Sequence, residues 1–305
     1  MDLAMVGLGR MGGSMAERLL RGGHHVVGYA RHAKGLERIL RLGLGGDGVT
    51  SLGALADTLV PPRAVWLMIP AGAPVDEALQ ALGRVLSPGD VIIDGGNSYY
   101  RDSLRRAAAL REQGLRFLDV GTSGGIWGLT EGYSMMVGGD GDVVAMLRPV
   151  FETLAPAPDR GWGHVGPNGA GHFVKMVHNG IEYGMMQALA EGFAIMKRKT
   201  EFALDLHQVA EIWRFGSVVR SWLLDLTARA LAGDQDLADI APHVADSGEG
   251  RWTVAEAIDL DVAAPVITLA LQQRLRSRDD YAFADRLLAM MRYQFGGHEF
   301  RRDQP

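Results

Sequence analysis

Short apolar runs alternate with amphipathic stretches over the first half of the chain, and this alternation restricts the possible folds more than any other feature. Residues 2–7 (DLAMVG), 25–30 (HVVGYA), 64–70 (AVWLMIP), 90–94 (DVIID) and 116–120 (RFLDV) have the length and apolar character of strands. Residues 11–23, 75–86 and 101–113 between them carry helical spacing, and 142–155 is expected to form one more helix. Regular alternation of this kind builds a parallel sheet with helices on both faces. From Gly169 onward no strand pattern occurs, residues 170–199 read as a single long helix, and the rest reads helical. The expected architecture is a doubly wound α/β sheet in residues 1–168 followed by an all-α domain in residues 169–305, with a polar, mobile tail from His298.

Gly7-Leu8-Gly9-Arg10-Met11-Gly12 joins the first strand to the first helix. Glycines at this spacing allow a tight turn and close backbone approach to a pyrophosphate, while the helix N-terminus offers free N–H groups and a positive dipole end. A lone glycine pattern is weak evidence, but the strand–turn–helix context makes the first domain Rossmann-type. The end of the second strand bears on cofactor choice. An NAD site places Asp or Glu there for the ribose hydroxyls. Here the residues are Tyr29-Ala30-Arg31-His32, with no acid, and Arg31 is suited to a 2′-phosphate. The expected cofactor is NADP rather than NAD; the alternative is that Arg31 is only a solvated loop charge.

The bulk composition narrows the partners. A formal net charge of −5 over 305 residues gives no bulk attraction for nucleic acid or an anionic membrane. There is no cysteine, so disulfides, thiolate chemistry and Cys-ligated metal are excluded. No apolar run approaches the roughly 20 residues that span a bilayer, and the chain enters a strand pattern at once without a leader-like segment, so a cytoplasmic protein is expected. His207 and His243 have no partner at metal-ligand spacing, and no metal site is expected. His24 and His25 read as solvated loop residues. Trp66, Trp213 and Trp222 read as core or subunit interface.

Residues 171–191 (GHFVKMVHNGIEYGMMQALAE) carry the chemistry. Lys175, Asn179 and Glu182 stand at i, i+4 and i+7, so a helix brings them to one side, with His178 beside them. An ordinary packed helix would place Leu or Val there. The alternative is a Lys–Glu pair at the edge of a buried face. Two glycine clusters, Asp94-Gly95-Gly96-Asn97-Ser98 and Gly121-Thr122-Ser123-Gly124-Gly125, follow strand ends on the edge where open α/β sheets bind ligands. Taken alone each is equally a glycine turn. Beside the helix they suit hydrogen bonds to a small polyhydroxy substrate.

The stretches DGGNSYYRDS, GTSGG and GAGHFVKMVHNGIEY, in this order, resemble the decarboxylating 6-phosphogluconate dehydrogenase family of the β-hydroxyacid dehydrogenase superfamily, over nearly the whole chain. Ile126-Trp127-Gly128 resembles the short bacterial form. The resemblance implies Lys175 as general base and Glu182 as general acid. It implies substrate contacts at Asn97, Ser123, Gly124, Gly125, His178 and Asn179, with Asn97 also near the cofactor. It further implies phosphate contacts at Tyr183 and Arg276, and a tail pair, Arg292 and His298, that in the long form reaches the partner subunit. A homodimer or homotetramer is therefore expected. The loop 246–253 (DSGEGRWT) departs from the long form by lacking an extra phosphate-binding lysine.

These residues fit oxidation of a secondary alcohol followed by decarboxylation. Lys175 must be neutral to take the hydroxyl proton, although a free lysine has a pKa of about 10.4. A β-keto acid then loses carbon dioxide without a metal if protonated Lys175 stabilises the oxyanion. A protonated Glu182 can deliver a proton to the enediol carbon. The expected substrate is a phosphosugar acid. The alternatives are another β-hydroxyacid dehydrogenase acting on a small unphosphorylated acid, and a catalytically silent nucleotide-binding regulator.

Overall fold

The computed structural model describes residues 1–42, 45–296, 298, 299 and 301. Of the expected mobile tail, residues 300 and 302–305 lie outside the described residues. The chain divides into two compact units, Met1–Asn179 and Gly180–Pro305.

The first unit is a Rossmann-like sheet flanked by helices. Its strands are β1 (Asp2–Val6), β2 (His25–Tyr29), β3 (Asp47–Val49), β4 (Ala64–Leu67), β5 (Val91–Asp94), β6 (Arg116–Ser123), β7 (Ser134–Gly139) and β8 (Trp162–Gly166). They lie in the order β3-β2-β1-β4-β5-β6-β7-β8, parallel throughout except where β7 runs antiparallel to β6. The central strands β1, β4 and β5 carry the apolar runs of residues 3–6, 64–67 and 91–93 because both faces of the sheet are covered. Leu3 and Met5 of β1, Trp66 of β4 and Ile93 of β5 enter one core; Ala4, Val6, Val65 and Ile92 enter the other. Successive side chains of each strand thus alternate between two buried layers.

The helices of this unit are α1 (Arg10–Arg21), α2 (Glu37–Arg41), α3 (Leu52–Thr58), α4 (Ala73–Leu82), α5 (Tyr100–Glu112), α6 (Gly128–Glu131), α7 (Gly141–Met146) and α8 (Arg148–Leu154). The single helix expected over 142–155 is two, α7 and α8, separated at Leu147. Pro149 has no N–H for the preceding turn, and its ring crowds the carbonyl four residues back. His24 is not a solvated loop residue. It is buried, with Nε2 at 2.9 Å from Thr153 Oγ1 and Nδ1 at 3.4 Å from the Met1 amino group.

Helix α9 (Ala170–Arg198) crosses the division between the units. The second unit continues with α10 (Leu206–Trp213), α11 (Trp222–Leu231), α12 (Glu249–Asp259), α13 (Pro265–Arg276) and α14 (Phe283–Gly296). Its small core joins Phe193 of α9 to Leu206 and Ala210 of α10 and to Leu224, Ala228 and Leu231 of α11. No helix among the described residues is long and apolar enough to cross a membrane.

Candidate active site

The turn between β1 and α1 has the backbone that its glycines require. Gly7 adopts φ +95°, and a Cβ there would overlap the Met68 carbonyl. A Cβ at Gly12 would overlap the Gly7 carbonyl oxygen, so the first turn of α1 lies directly on the turn. Gly9, the N-cap of α1, has no other protein atom within 4 Å of its Cβ position. The three positions match a tight turn, open backbone where a pyrophosphate approaches, and close helix–strand packing. The free N–H groups of Met11 and its neighbours follow, with Arg10 exposed at the helix start. A cleft of about 520 Å³ opens beside this turn, lined by Gly7, Leu8, Tyr29, Ala30, Arg31, Ile69, Pro70 and Pro74 among others. It lies over the carboxyl ends of β1, β2 and β4, where the strand order reverses. The residues present therefore fit a dinucleotide, and Arg31 stands exposed on the wall beyond β2.

The polar end of α9 is seated against the same sheet by bare backbone. A Cβ at Gly121 of β6 would overlap Lys175 Cβ and lie 2.6 Å from the Gly171 carbonyl oxygen. A Cβ at Gly138 of β7 would lie 2.6 Å from the Gly171 nitrogen. Asp119, fully buried on β6, accepts hydrogen bonds from Gly169 N at 2.6 Å and His172 N at 2.9 Å. A carboxylate from a neighbouring strand thereby satisfies the free donors at the start of the helix.

This seating buries Lys175 to 8% exposure, with Nζ donating to Asn179 Oδ1 at 2.5 Å. His178 Nδ1 lies 3.0 Å from the same oxygen and 3.4 Å from Lys175 Nζ. Ser123 closes β6, and Gly124 and Gly125 follow with φ +138° and +52°, conformations that favour glycine. Asn97 is exposed after β5, between Gly96 and Ser98, both hydrogen-bonded to the buried Asp94 carboxylate. Among the described residues, no group of three or more His, Asp or Glu could hold a metal ion.

The second unit carries the remaining positions. Glu182, two turns beyond Lys175 on α9, is half-buried. Tyr183 is buried, its hydroxyl 3.3 Å from Ser247 Oγ. Arg274, which the sequence did not single out, stacks over the Tyr183 ring with its guanidinium carbon 3.4 Å from the centroid, and donates to the Ala245 carbonyl at 2.9 Å. Arg276 donates instead to Asp285 at 2.8 Å and is largely exposed. Arg278, equally unsingled, is partly buried beside Asp246. Arg292 and His298 are exposed at the end of α14 and just beyond it.

Comparison with known proteins agrees over both units. The family model for the NAD binding domain of 6-phosphogluconate dehydrogenase matches residues 2–166, and that for the 6-phosphogluconate dehydrogenase C-terminal domain matches residues 171–294. The chain is 43% identical to an NAD⁺-dependent, decarboxylating 6-phosphogluconate dehydrogenase of Haloferax volcanii, over 99% of each protein. It is 38% identical to an NAD⁺-dependent enzyme of the same name from Bacillus subtilis, covering 90% of this chain but 61% of that longer one. The structure of Plasmodium falciparum 6-phosphogluconate dehydrogenase, studied with its cofactor NADP⁺ and its substrate 6-phosphogluconate, superposes with a TM-score of 0.84 at 30% identity, covering 100% of this chain and 67% of that one.

Proposed function

Because the chain belongs to the 6-phosphogluconate dehydrogenase family, we propose that it oxidises and decarboxylates 6-phospho-D-gluconate to D-ribulose 5-phosphate and carbon dioxide in the cytoplasm, with NADP as acceptor. The observation that carries this reading is Lys175, a lysine buried in a glycine-lined seat and hydrogen-bonded to Asn179. Burial disfavours the charged form of a lysine, which is the direction a general base needs.

Lys175 takes the proton from the substrate hydroxyl at the carbon that is oxidised. A nicotinamide dinucleotide held at the Gly7–Gly12 turn would supply the acceptor for the hydride of that carbon. Lys175, now protonated, faces the new carbonyl oxygen and stabilises the negative charge that develops there as carbon dioxide leaves. Lys175 gives its proton to that oxygen, forming the enediol, and takes it back as Glu182 protonates the enediol carbon, giving the ketose. Asn97, Ser123 and the backbone of Gly124 and Gly125 orient the hydroxyls and carboxylate, with His178 and Asn179 holding the lysine's surroundings. Tyr183, Arg276 and the tail pair Arg292 and His298 bind the phosphate, and Arg274 and Arg278 add cationic character near Tyr183 and Asp246.

Preference for NADP rests on Ala30 and Arg31, which put a guanidinium and no carboxylate at the end of β2, while the one carboxylate lining the cleft, Glu77, belongs to α4. A homodimer or homotetramer is supported by the exposed apolar side chains of the second unit, including Ile181, Val266, Leu269, Phe283 and Leu288. Steady-state oxidation of 6-phosphogluconate with NADP and with NAD tests the reading: turnover with NADP at the higher kcat/KM supports it, and no turnover with either cofactor refutes it.

A further inference from the structure

Arg106 of α5 is buried in the first unit, 2% exposed, and none of its partners belongs to a catalytic group. Its guanidinium reaches two turns at once. Toward the cofactor cleft, Nε donates to Asp76 Oδ1 at 2.9 Å and Nη2 donates to the Gly72 carbonyl at 3.0 Å. Gly72 caps α4 with φ +85°, and Pro70 and Pro74 on either side of it line the dinucleotide cleft. Toward the substrate side, Nη1 lies 3.3 Å from both Asp94 Oδ2 and Ser98 Oγ. Asp94 also accepts from Gly96 N at 3.1 Å and Ser98 Oγ at 2.7 Å, so both neighbours of Asn97 are tied to the carboxylate that Arg106 holds.

A buried ion pair contributes little net stability compared with apolar residues of the same volume, so stability alone does not account for one here. A planar fork with fixed donor directions does something apolar packing cannot: it sets the angle between two backbone turns. We propose that Arg106 is a positioning residue, which locks the cofactor-side turn at Gly72 to the turn bearing Asn97 so that nicotinamide and substrate carbon meet in one rigid frame. The proposal rests on the reading of Asn97 as a substrate and cofactor contact.

Arg106→Lys keeps the charge and loses the fork. The full-length variant is compared with wild type in three measurements: kcat with 6-phosphogluconate and NADP, NADPH affinity by fluorescence, and hydrogen exchange of segments 69–76 and 94–98. The expected result is a kcat lower by about 10²-fold, the loss that a misplacement near 1 Å produces. NADPH affinity should stay within a few-fold, because the glycine turn at Gly7–Gly12 is untouched, and both segments should lose exchange protection together. A role in stability alone would lower the melting temperature and leave kcat per folded molecule unchanged, which would overturn the proposal. If wild type fails to turn over 6-phosphogluconate, the functional reading fails, and exchange decides alone: faster exchange in both segments supports the lock, and no change or a change in one segment overturns it. If Arg106→Lys does not fold, Asp76→Asn, at a partly exposed position, takes its place with a smaller loss expected in the same direction.

Discussion

Lys175 Nζ and Asn179 Oδ1 are 2.5 Å apart on successive turns of α9, with the lysine 8% exposed against the bare backbone of Gly121. The hydrogen bond fixes the direction of the lysine nitrogen, and the glycine leaves room for the lysine stem against β6.

Replacing Lys175 by Met should abolish oxidation, with a loss of at least the 10²–10⁴-fold typical of a general base, while NADPH binding stays near wild type. Glu182→Gln should be slowed comparably but after carbon dioxide release, so a burst of NADPH should precede a slow steady state. Stopped-flow absorbance reads both, and more than about a tenth of wild-type activity in Lys175→Met would show that another group is the base.

The cofactor wall gives a second test. Arg31→Ala should weaken NADP by roughly 10- to 100-fold, the worth of a charge-assisted hydrogen bond of about 1.5–3 kcal/mol, and leave NAD nearly unchanged. Equal losses for both cofactors would mean that Arg31 does not read the 2′-phosphate.

Sequence periodicity sufficed for the parallel sheet and for α9, expected over 170–199 and found over Ala170–Arg198, because both depend on local apolar spacing. It failed where the outcome depends on long-range partners. β3 is three residues of DGV, too short and polar to register, and forms because β2 offers it a parallel edge. Asp119 stands inside the apolar strand run of residues 116–120, where a carboxylate is the signal of a buried partner, here the N-terminus of α9. Arg274 lay inside a helical pattern beside Arg276, and only the fold reveals that it is the one stacked on Tyr183.

His24 is neutral by preference in the folded protein. Burial lowers its pKa below 6.5, and the Met1 amino group lowers it further. The folded state therefore binds fewer protons than the unfolded state between the lowered pKa and 6.5. Its contribution to stability is complete above pH 6.5 and falls as the pH drops through that window. His24→Gln should flatten the decline of Tm between neutral pH and about pH 5 in calorimetry; an unchanged slope would assign the acid sensitivity to other groups.

The many exposed apolar side chains of the second unit predict self-association. Sedimentation velocity should show a dimer or tetramer at assay concentration, and Val266→Glu with Leu269→Glu should shift it toward monomer with loss of activity. A fully active wild-type monomer would contradict the expectation.

The most direct measurement of the central claim is the ratio of carbon dioxide to NADPH formed from 6-phosphogluconate labelled at C1. An enzyme that uses Lys175 first as base and then as oxyanion partner should release one carbon dioxide for each NADPH. NADPH without carbon dioxide, or no NADPH at all, would contradict the assignment of this site to oxidative decarboxylation.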